Sequence, residues 1–463
     1  MGPTPLDILH RCAHNRQMNI RSALTTGGTL LAALLIFASY TVAQPPTGEF
    51  KALYSFTPQR GGPPNPGMTI GGGGVLYGTT GGGPSGTVFS LSPPASPGGA
   101  WTERVLHVFG SNLDGSGPQA GVAIGAGGVL YGTTIYGGTY FCGQDLGCGT
   151  VFSVSPPASP GAAWTEAVIH SFSSGGTDGF HPAANLAIGS GGVLYGTTQE
   201  GGTGFDALCG TVFSLTPPAT PSGAWTEALL YTFPGTGGEG CDPQNLVIGK
   251  EGELYGTSYS GGASGAGTVF LLTPPRSTGG RWAEKVLYSF GDNGAGFAVS
   301  IPSPSLAIGR DGVLYGTTGF LGTTTATCGG GCGTVFSLTP PASPGSAWTE
   351  ALVYSFGGAP NDGSGPVGVV IGTGPSGHHM LYGATSGGGA NTCGQAGCGT
   401  VYSLTPPASP GGAWTETILY NFTPTTAIGS VNAGLAIGND GALYGATGAY
   451  NMSGDGSVFA LVR

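Results

Sequence analysis

Four short phrases recur in a fixed order along this chain, and this order constrains the fold more than any other feature. They read as an "LAIG"-like run, "LYGTT", "GTVFSLTP" and a "WTEALLYSF"-like segment. A period of 54 to 67 residues, measured between successive tyrosines of the second phrase, is typical of repeat architectures. Seven copies carry that tyrosine: Tyr77, Tyr131, Tyr195, Tyr255, Tyr315, Tyr382 and Tyr444.

Each phrase has the length and composition of a β-strand. The phrases are rich in Val, Leu, Tyr, Phe and Thr, and Gly or Pro separates them, whereas no segment shows the 3.6-residue period of a helix. In Trp225–Phe233 both sides of the strand carry apolar groups, which indicates a sheet covered on both faces. We therefore predict an all-β, seven-bladed β-propeller with four antiparallel strands per blade.

The two ends of the chain predict how the ring closes. Six copies of the fourth phrase begin with tryptophan, and a seventh, degenerate copy at Phe50–Phe56 precedes every complete unit. The last unit starts near Gly434 and stops after its third strand. We expect the N-terminal strand to complete the last blade, which removes exposed sheet edges. The propeller then spans residues 50–463; another blade number or two open halves are the alternatives.

The phrases "GVLYGTT", "GTVFSLTPP" and "WTETILYNF" resemble the GloVer tandem repeat of exported bacterial proteins. Members of that group are called "choice-of-anchor" because different C-terminal anchors follow their repeats. The resemblance covers Phe50 to Arg463 and implies export, but it brings no catalytic residues. No such anchor follows the seventh unit, so the resemblance does not extend to tethering at a cell surface.

The N-terminus has the pattern of an export signal. Arg16 and Arg21 precede an apolar run at Thr29–Tyr40, and small residues at Thr41–Ala43 offer a cleavage site. We predict a signal peptide at 1–43, with Met18 as an alternative start, and a short linker at 44–49. An uncleaved anchor is the alternative, although the run is short for a span of about 20 residues. A secreted or periplasmic location follows.

Eight cysteines follow the predicted cleavage site, and their positions indicate disulfides. The pairs Cys142–Cys148, Cys328–Cys332 and Cys393–Cys398 each fall within one loop between the second and third strands. Cys209 occupies the same place in its unit, and Cys241 lies in the next connection, which emerges on the same face. We therefore pair Cys209 with Cys241. A zinc site is disfavoured because four ligands would have to converge on one point.

Charge excludes one class of partner. Charged residues make up only 7% of the chain, and 22 acidic against 12 basic residues give a net charge of −10. Without a basic patch, we expect no nucleic-acid partner. We also expect no membrane span in the mature chain, no cofactor, no metal and a monomeric protein.

Residues that break the repeat are better site candidates than residues present in every unit. The "LYG" tyrosines, the "WTE" tryptophans and glutamates and the "GTVF" phenylalanines are interpreted as scaffold. Aromatic, acidic and amide side chains in the cysteine-bearing loops suit sugar rings or peptide side chains. The ligand-binding candidates are Tyr140, Phe141, Asp145, Phe180, His181, Phe205, Asp206, Phe320, Tyr450, Asn451 and Asp455.

Aspartates in the connections between units are interpreted as turn residues. An Asp before Gly accepts hydrogen bonds from nearby backbone N–H groups. Calcium is the alternative ligand, but these phrases lack the alternating acids of a calcium loop. The group comprises Asp114, Asp178, Asp242, Asp292 and Asp362.

Three functions are consistent with the sequence. The first is a secreted binding or scaffold module that engages an extracellular glycan or protein through one loop face. The second is a carbohydrate-active hydrolase or lyase in which Asp145, Asp206 and Asp455 form the pool of loop carboxylates. The third is a structural protein of the cell envelope. The missing nucleophile and metal motifs favour the first.

Overall fold

The computed structural model divides the chain into two units, Met1–Pro45 and Pro46–Arg463. Every described residue lies in the second unit. The structure describes residues 48–463 except for 58–60, 82–84, 111–112, 143–146, 160, 175–177, 203–208, 221–222, 236–237, 278, 292–304, 326–327, 344, 375–376, 394–396, 410, 425–430, 432–433 and 449–455.

Seven four-stranded antiparallel sheets form the blades of a β-propeller, as predicted. Blade 1 contains β2 (Thr69–Ile70), β3 (Leu76–Thr80), β4 (Thr87–Ser92) and β5 (Thr102–Val108). Blade 2 contains β6 (Ala123–Ile124), β7 (Leu130–Thr134), β8 (Thr150–Ser155) and β9 (Thr165–Ser171). Blade 3 contains β11 (Ala187–Ile188), β12 (Leu194–Thr198), β14 (Thr211–Thr216) and β15 (Thr226–Thr232). Blade 4 contains β16 (Gly240–Ile248), β17 (Leu254–Gly261), β18 (Thr268–Thr273) and β19 (Ala283–Ser289). Blade 5 contains β20 (Ala307–Ile308), β21 (Leu314–Thr318), β22 (Thr334–Thr339) and β23 (Thr349–Ser355). Blade 6 contains β24 (Gly363–Thr373), β25 (His379–Gly388), β26 (Thr400–Thr405) and β27 (Thr415–Asn421). Blade 7 contains β28 (Ala436–Ile437), β29 (Leu443–Thr447), β30 (Ser457–Val462) and β1 (Glu49–Ser55). A separate two-stranded sheet pairs β10 (Gly179–Phe180) with β13 (Glu200–Gly201).

The N-terminal strand closes the ring. Strand β1 pairs antiparallel with β30, from Glu49 opposite Val462 to Ser55 opposite Ser457. Phe50 occupies the place of the repeated glutamate and stacks on Tyr420 of blade 6, with ring centroids 4.5 Å apart. The first and last parts of the described chain therefore share one sheet, and the predicted closure is confirmed.

Aromatic pairs join every blade to the next. A phenylalanine that follows a fourth strand packs edge-on against a third-strand aromatic ring of the following blade, as Phe109 does against Phe152. The seven centroid distances are 4.9 to 5.2 Å. Such edge-to-face pairs contribute about 0.5–1.5 kcal/mol beyond the burial of their area.

The repeated glycine and hydroxyl residues meet requirements of this packing. The glycine of "LYG" has no Cβ because the third-strand ring lies against it: a Cβ on Gly132 would be 2.5 Å from Cζ of Phe152. Buried hydroxyl pairs link the second and third strands of every blade, as in Thr134 with Thr150 at 2.8 Å. The other six pairs lie at 2.8 to 3.0 Å, so the two hydroxyls of each pair satisfy one another.

Tyr402 departs from this pattern and gives a stability prediction. It replaces the repeated phenylalanine in blade 6, is fully buried, and its hydroxyl has no hydrogen-bond partner among the described residues. We expect Tyr402→Phe to raise the free energy of unfolding by about 1 kcal/mol, since it removes an unsatisfied buried polar group. Urea denaturation of the two proteins measures the difference. A lower stability of the variant would show that the hydroxyl is satisfied.

The ring has two distinct faces. The loop face carries the loops between second and third strands and the connections from each blade to the next; the turn face carries the tight turns between first and second strands and the hairpins between third and fourth strands. Four disulfides lie on the loop face with the predicted pairings: Cys142–Cys148, Cys209–Cys241, Cys328–Cys332 and Cys393–Cys398. In the part of the chain that the structure describes, no helix has the length and apolar character that a membrane crossing needs.

Candidate functional site

A cavity of about 350 Å³ lies on the axis of the ring, and all seven blades line it. The lining residues stand at the loop-face ends of the first strands. Asn185 and Asn245 come from neighbouring blades and are linked, because the backbone N–H of Asn185 donates to Oδ1 of Asn245 at 2.7 Å. The described lining contains amides, a serine and apolar groups but no charged side chain. The cavity therefore suits an uncharged group.

Two blades place a histidine or an aspartate where two others have glycine. The residue before the proline of a connection is left-handed, with φ of 66° at Gly117 and 61° at Gly365. His181 and Asp242 occupy the same place with φ of 58° and 59°. Each of the four donates its N–H to a carbonyl of the preceding blade at 2.9 Å. Left-handed non-glycine residues carry a strain cost and concentrate at functional sites.

His181 is held among aromatic and acidic groups. Phe180 of β10 lies opposite Glu200 of β13, so the small two-stranded sheet brings His181 next to Glu200. His181 Nδ1 is 3.2 Å from Glu200 Oε1, and the rings of Tyr136 and Phe180 lie 5.5 and 5.0 Å from the imidazole. Its Nε2 is buried without a hydrogen-bond partner among the described residues.

Asp242 extends this cluster to the axial cavity. Gln244, which lines the cavity, donates from Nε2 to both the carbonyl and Oδ1 of Asp242 at 3.1 Å. Burial and the nearby charge of Glu200 raise the pKa of Asp242 to about 6, against the opposing effect of the Gln244 hydrogen bond. The Cys209–Cys241 disulfide holds the residue directly before Asp242. We name His181, Glu200, Asp242 and Gln244 the mouth cluster.

The loop face is acidic. Its described part contains no lysine or arginine. Across the described ranges, no group of three His, Cys, Asp or Glu side chains has the arrangement of metal ligands. The described acidic residues of this face are Asp114, Asp178, Glu200, Glu239, Asp242 and Asp362.

Most of the connection aspartates are turn residues, as predicted, but Asp242 is not. Asp178 accepts from the N–H groups of Ser173 and Gly179, and Asp362 makes the equivalent contacts. In blade 4 the matching place belongs to Glu239, whose carbonyl accepts from Gly262 as that of Asp178 does from Gly202. The prediction for Asp242 was wrong because it grouped residues by type. Asp242 directly precedes the connection proline, whereas the turn aspartates lie farther from it. Asp292 lies outside the described residues.

The structure brings together only part of the predicted candidate set. Phe180 and His181 are in contact at the mouth cluster. Tyr140 and Phe141, 53% and 66% exposed, lie beside Cys142 in blade 2, and Phe320 lines a separate groove of about 490 Å³ next to the Cys328–Cys332 loop. Asp145, Phe205, Asp206, Tyr450, Asn451 and Asp455 lie outside the described residues.

Sequence reasoning singled out Glu200 as a departure from the repeat but did not place it in one site with Asp242. Glu200 breaks the repeat, but its neighbour Asp242 belongs to the next blade. One signal in the sequence could have found both blades: the residue before the connection proline is glycine in blades 2 and 6, but His181 and Asp242 in blades 3 and 4.

The fold and its disulfide-linked loop face define this protein as a seven-bladed β-propeller built from tandem repeats. The chain belongs to the Gloeobacter/Verrucomicrobia repeat family, whose model matches residues 39–223 and 143–323. This membership confirms the resemblance drawn from the repeated phrases. A search of curated proteins found no match.

Solved structures share the architecture at low identity. A virginiamycin B lyase from Staphylococcus aureus has a TM-score of 0.50 and 14% identity, covering 89% of this chain and 100% of that one. A catalytically inactive form of that lyase with quinupristin has a TM-score of 0.48 and 15% identity, with coverage of 89% and 100%. A fungal alcohol oxidase of the AA5 family with copper has a TM-score of 0.49 and 11% identity, covering 90% and 76%. At 14% identity, the first of these structures shows the fold alone.

Proposed function

We propose that this protein is an exported binding module that holds a neutral glycan at the loop-face mouth of its axial cavity. The observation that carries the proposal is the mouth cluster, in which His181 contacts Glu200 and Asp242 contacts Gln244 of the cavity lining. Disulfides are typical of oxidising compartments, which supports export.

The chemistry of the cluster suits sugar hydroxyls. Carboxylates accept hydrogen bonds from hydroxyl groups, and the amides of Asn185, Gln244 and Asn245 supply both donors and acceptors. Tyr136 adds an aromatic ring beside His181. A site with a few convergent polar groups at a concave opening is the usual form of a small-ligand site. The absence of described cations on this face disfavours an anionic ligand.

Oligosaccharide binding tests the proposal. Purified protein is screened against neutral tetrasaccharides of cellulose, xylan, chitin and mannan, and the strongest binder is titrated by calorimetry. We expect Glu200→Gln and Asp242→Asn each to weaken binding at least tenfold. Asparagine tolerates the left-handed backbone of residue 242, so this variant changes the charge and keeps the fold.

The control variant is Glu49→Gln, whose carboxylate is 71% exposed on the closing strand, and its affinity should match that of the wild type. Unchanged affinity in both site variants would overturn the site. Binding of a lysine-rich peptide that the same variants abolish would replace the glycan by a basic protein partner. Release of shortened sugars during titration would show catalysis by the acid pair and overturn a binding-only function.

A further inference from the structure

A second groove lies on the turn face, between blades 5 and 6. Its volume is about 640 Å³, and the loop-face mouth cluster contributes nothing to its lining. The side chains that matter are Arg310, Asp311, Tyr315, His378, His379 and Trp414.

The aromatic part of this groove is common to the ring. Tyr315 and Trp414 come from adjacent blades, with ring centroids 6.1 Å apart and planes at 70°. Five further Tyr–Trp pairs have centroid distances of 5.7 to 6.3 Å. At the seventh place the guanidinium of Arg463 lies 4.1 Å from the ring of Tyr382. The pair therefore supplies a half-buried aromatic wall, and other residues must supply selectivity.

The polar part of the groove combines an arginine of blade 5 with a lengthened turn of blade 6. The first turn of blade 5 carries Arg310, where blades 1, 2 and 3 have Gly72, Ala126 and Ser190 and blade 4 has Lys250. Blade 6 has nine positions between Ile371 and Leu381, whereas blade 5 has five between Ile308 and Leu314. These four extra positions come in a loop that ends in His378 and His379, both exposed. Departures from a repeat in surface loops indicate binding.

We propose that this groove binds an anionic sugar residue, namely a uronate of a polysaccharide. Its sugar ring lies on Trp414 and its carboxylate contacts Arg310. A guanidinium presents paired donors that match a carboxylate. Lys250 Nζ donates to the carbonyl of Arg310 at 2.7 Å and holds the turn in place. Asp311 Oδ1 accepts from the N–H of Val313 at 3.4 Å within the same turn.

Two histidines lie beside the arginine of the groove. His378 and His379 are its described imidazoles, and Arg310 and Asp311 are its described charged groups. The described part of the loop face carries no lysine or arginine, so we expect the two sites to select different ligands.

Calorimetry with tetragalacturonate tests the inference, with its methyl ester as the matched neutral probe. We expect Arg310→Gln to weaken tetragalacturonate binding at least tenfold. We also expect the wild-type protein to bind the methyl ester no more tightly than the Arg310→Gln variant binds tetragalacturonate. Arg281→Gln makes the same charge change in an exposed hairpin of blade 4 and should leave affinity unchanged, as should Glu200→Gln. Equal losses in Arg310→Gln and Arg281→Gln would reduce the effect to general charge and overturn the site.

The six tryptophans locate the ligand directly. Each indole N–H gives one signal in a nitrogen–proton NMR spectrum, and Trp414→Phe identifies the signal of Trp414. We expect tetragalacturonate to shift that signal selectively and saturably. Equal shifts of all six signals would show one site at every Tyr–Trp pair and contradict a site specific to blades 5 and 6. A sulfated tetrasaccharide that shifts the same signal would assign the site to sulfate esters in place of uronates.

Discussion

Replacing Phe56 by alanine is expected to lower the free energy of unfolding by about 4 kcal/mol. Phe56 follows the closing strand, is 1% exposed, and packs edge-on against Phe89 of blade 1 at 4.9 Å. Its N–H also donates to the carbonyl of Gly456 at 2.8 Å, next to the terminal strand. Truncation of a buried phenylalanine typically costs about 3–5 kcal/mol, because a cavity remains. Denaturant unfolding followed by tryptophan fluorescence measures the loss.

Phe141→Ala is the matched control, since it makes the same change at a side chain that is 66% exposed. We expect its effect to stay within about 0.5 kcal/mol. Equal effects of the two variants would mean that the segment before residue 57 contributes nothing to the ring. In that case β1 would not close blade 7.

Stability should fall as pH rises from about 4.5 to 8. The glutamates of the "WTE" phrase lie between neighbouring blades, and burial raises the pKa of Glu166 and Glu284 to about 7 and that of Glu416 to about 8. The negative charges of Asp114, Glu239 and Asp362 further raise the pKa of Glu166, Glu284 and Glu416, respectively. Burial also raises the pKa of Glu227 and Glu350.

The sign follows from proton linkage. A carboxyl whose folded-state pKa lies above its unfolded value is stabilising while protonated. That contribution is complete below about pH 4.5 and is lost as pH rises through the folded-state values of 7 to 8. The melting temperature should therefore be higher at pH 5 than at pH 8.5.

Glu416→Gln isolates one of these groups. Its Oε1 is buried without a hydrogen-bond partner among the described residues. We expect the variant to be more stable than the wild type by about 2 kcal/mol at pH 8.5, after allowance for screening of its exposed part, and nearly equal to it at pH 5. Glu49→Gln should change neither value. A wild-type protein whose stability rises from pH 5 to pH 8.5 would contradict the account.

The repeated phrases made most of the fold predictable. Strand identity, blade number and ring closure all follow from phrase order, because each phrase matches one strand and the missing fourth strand of blade 7 appears at Phe50–Phe56. The pairing of Cys209 with Cys241 also follows, since both connections emerge on one face. The order of the phrases was sufficient for these features, because each depends on which strands share a blade or which connections share a face.

The candidate site was less predictable because it depends on where different blades meet. Phe180 and His181 were found as departures from the repeat, yet their partner Asp242 was grouped with turn residues. Its role depends on a left-handed backbone and on the approach of Glu200 from the preceding blade, neither of which is written in the local sequence. Register relative to the connection proline, and not residue type, distinguishes it.

Hydrogen exchange of the closing strand tests the central claim most directly. If β1 completes blade 7, the amides of residues 50–55 should exchange as slowly as those of Thr102–Val108, the corresponding strand of blade 1, and should become labelled together with those of β30. Exchange of residues 50–55 at the rate of an unstructured peptide, with the other strands still protected, would show an open ring and contradict the arrangement of both faces.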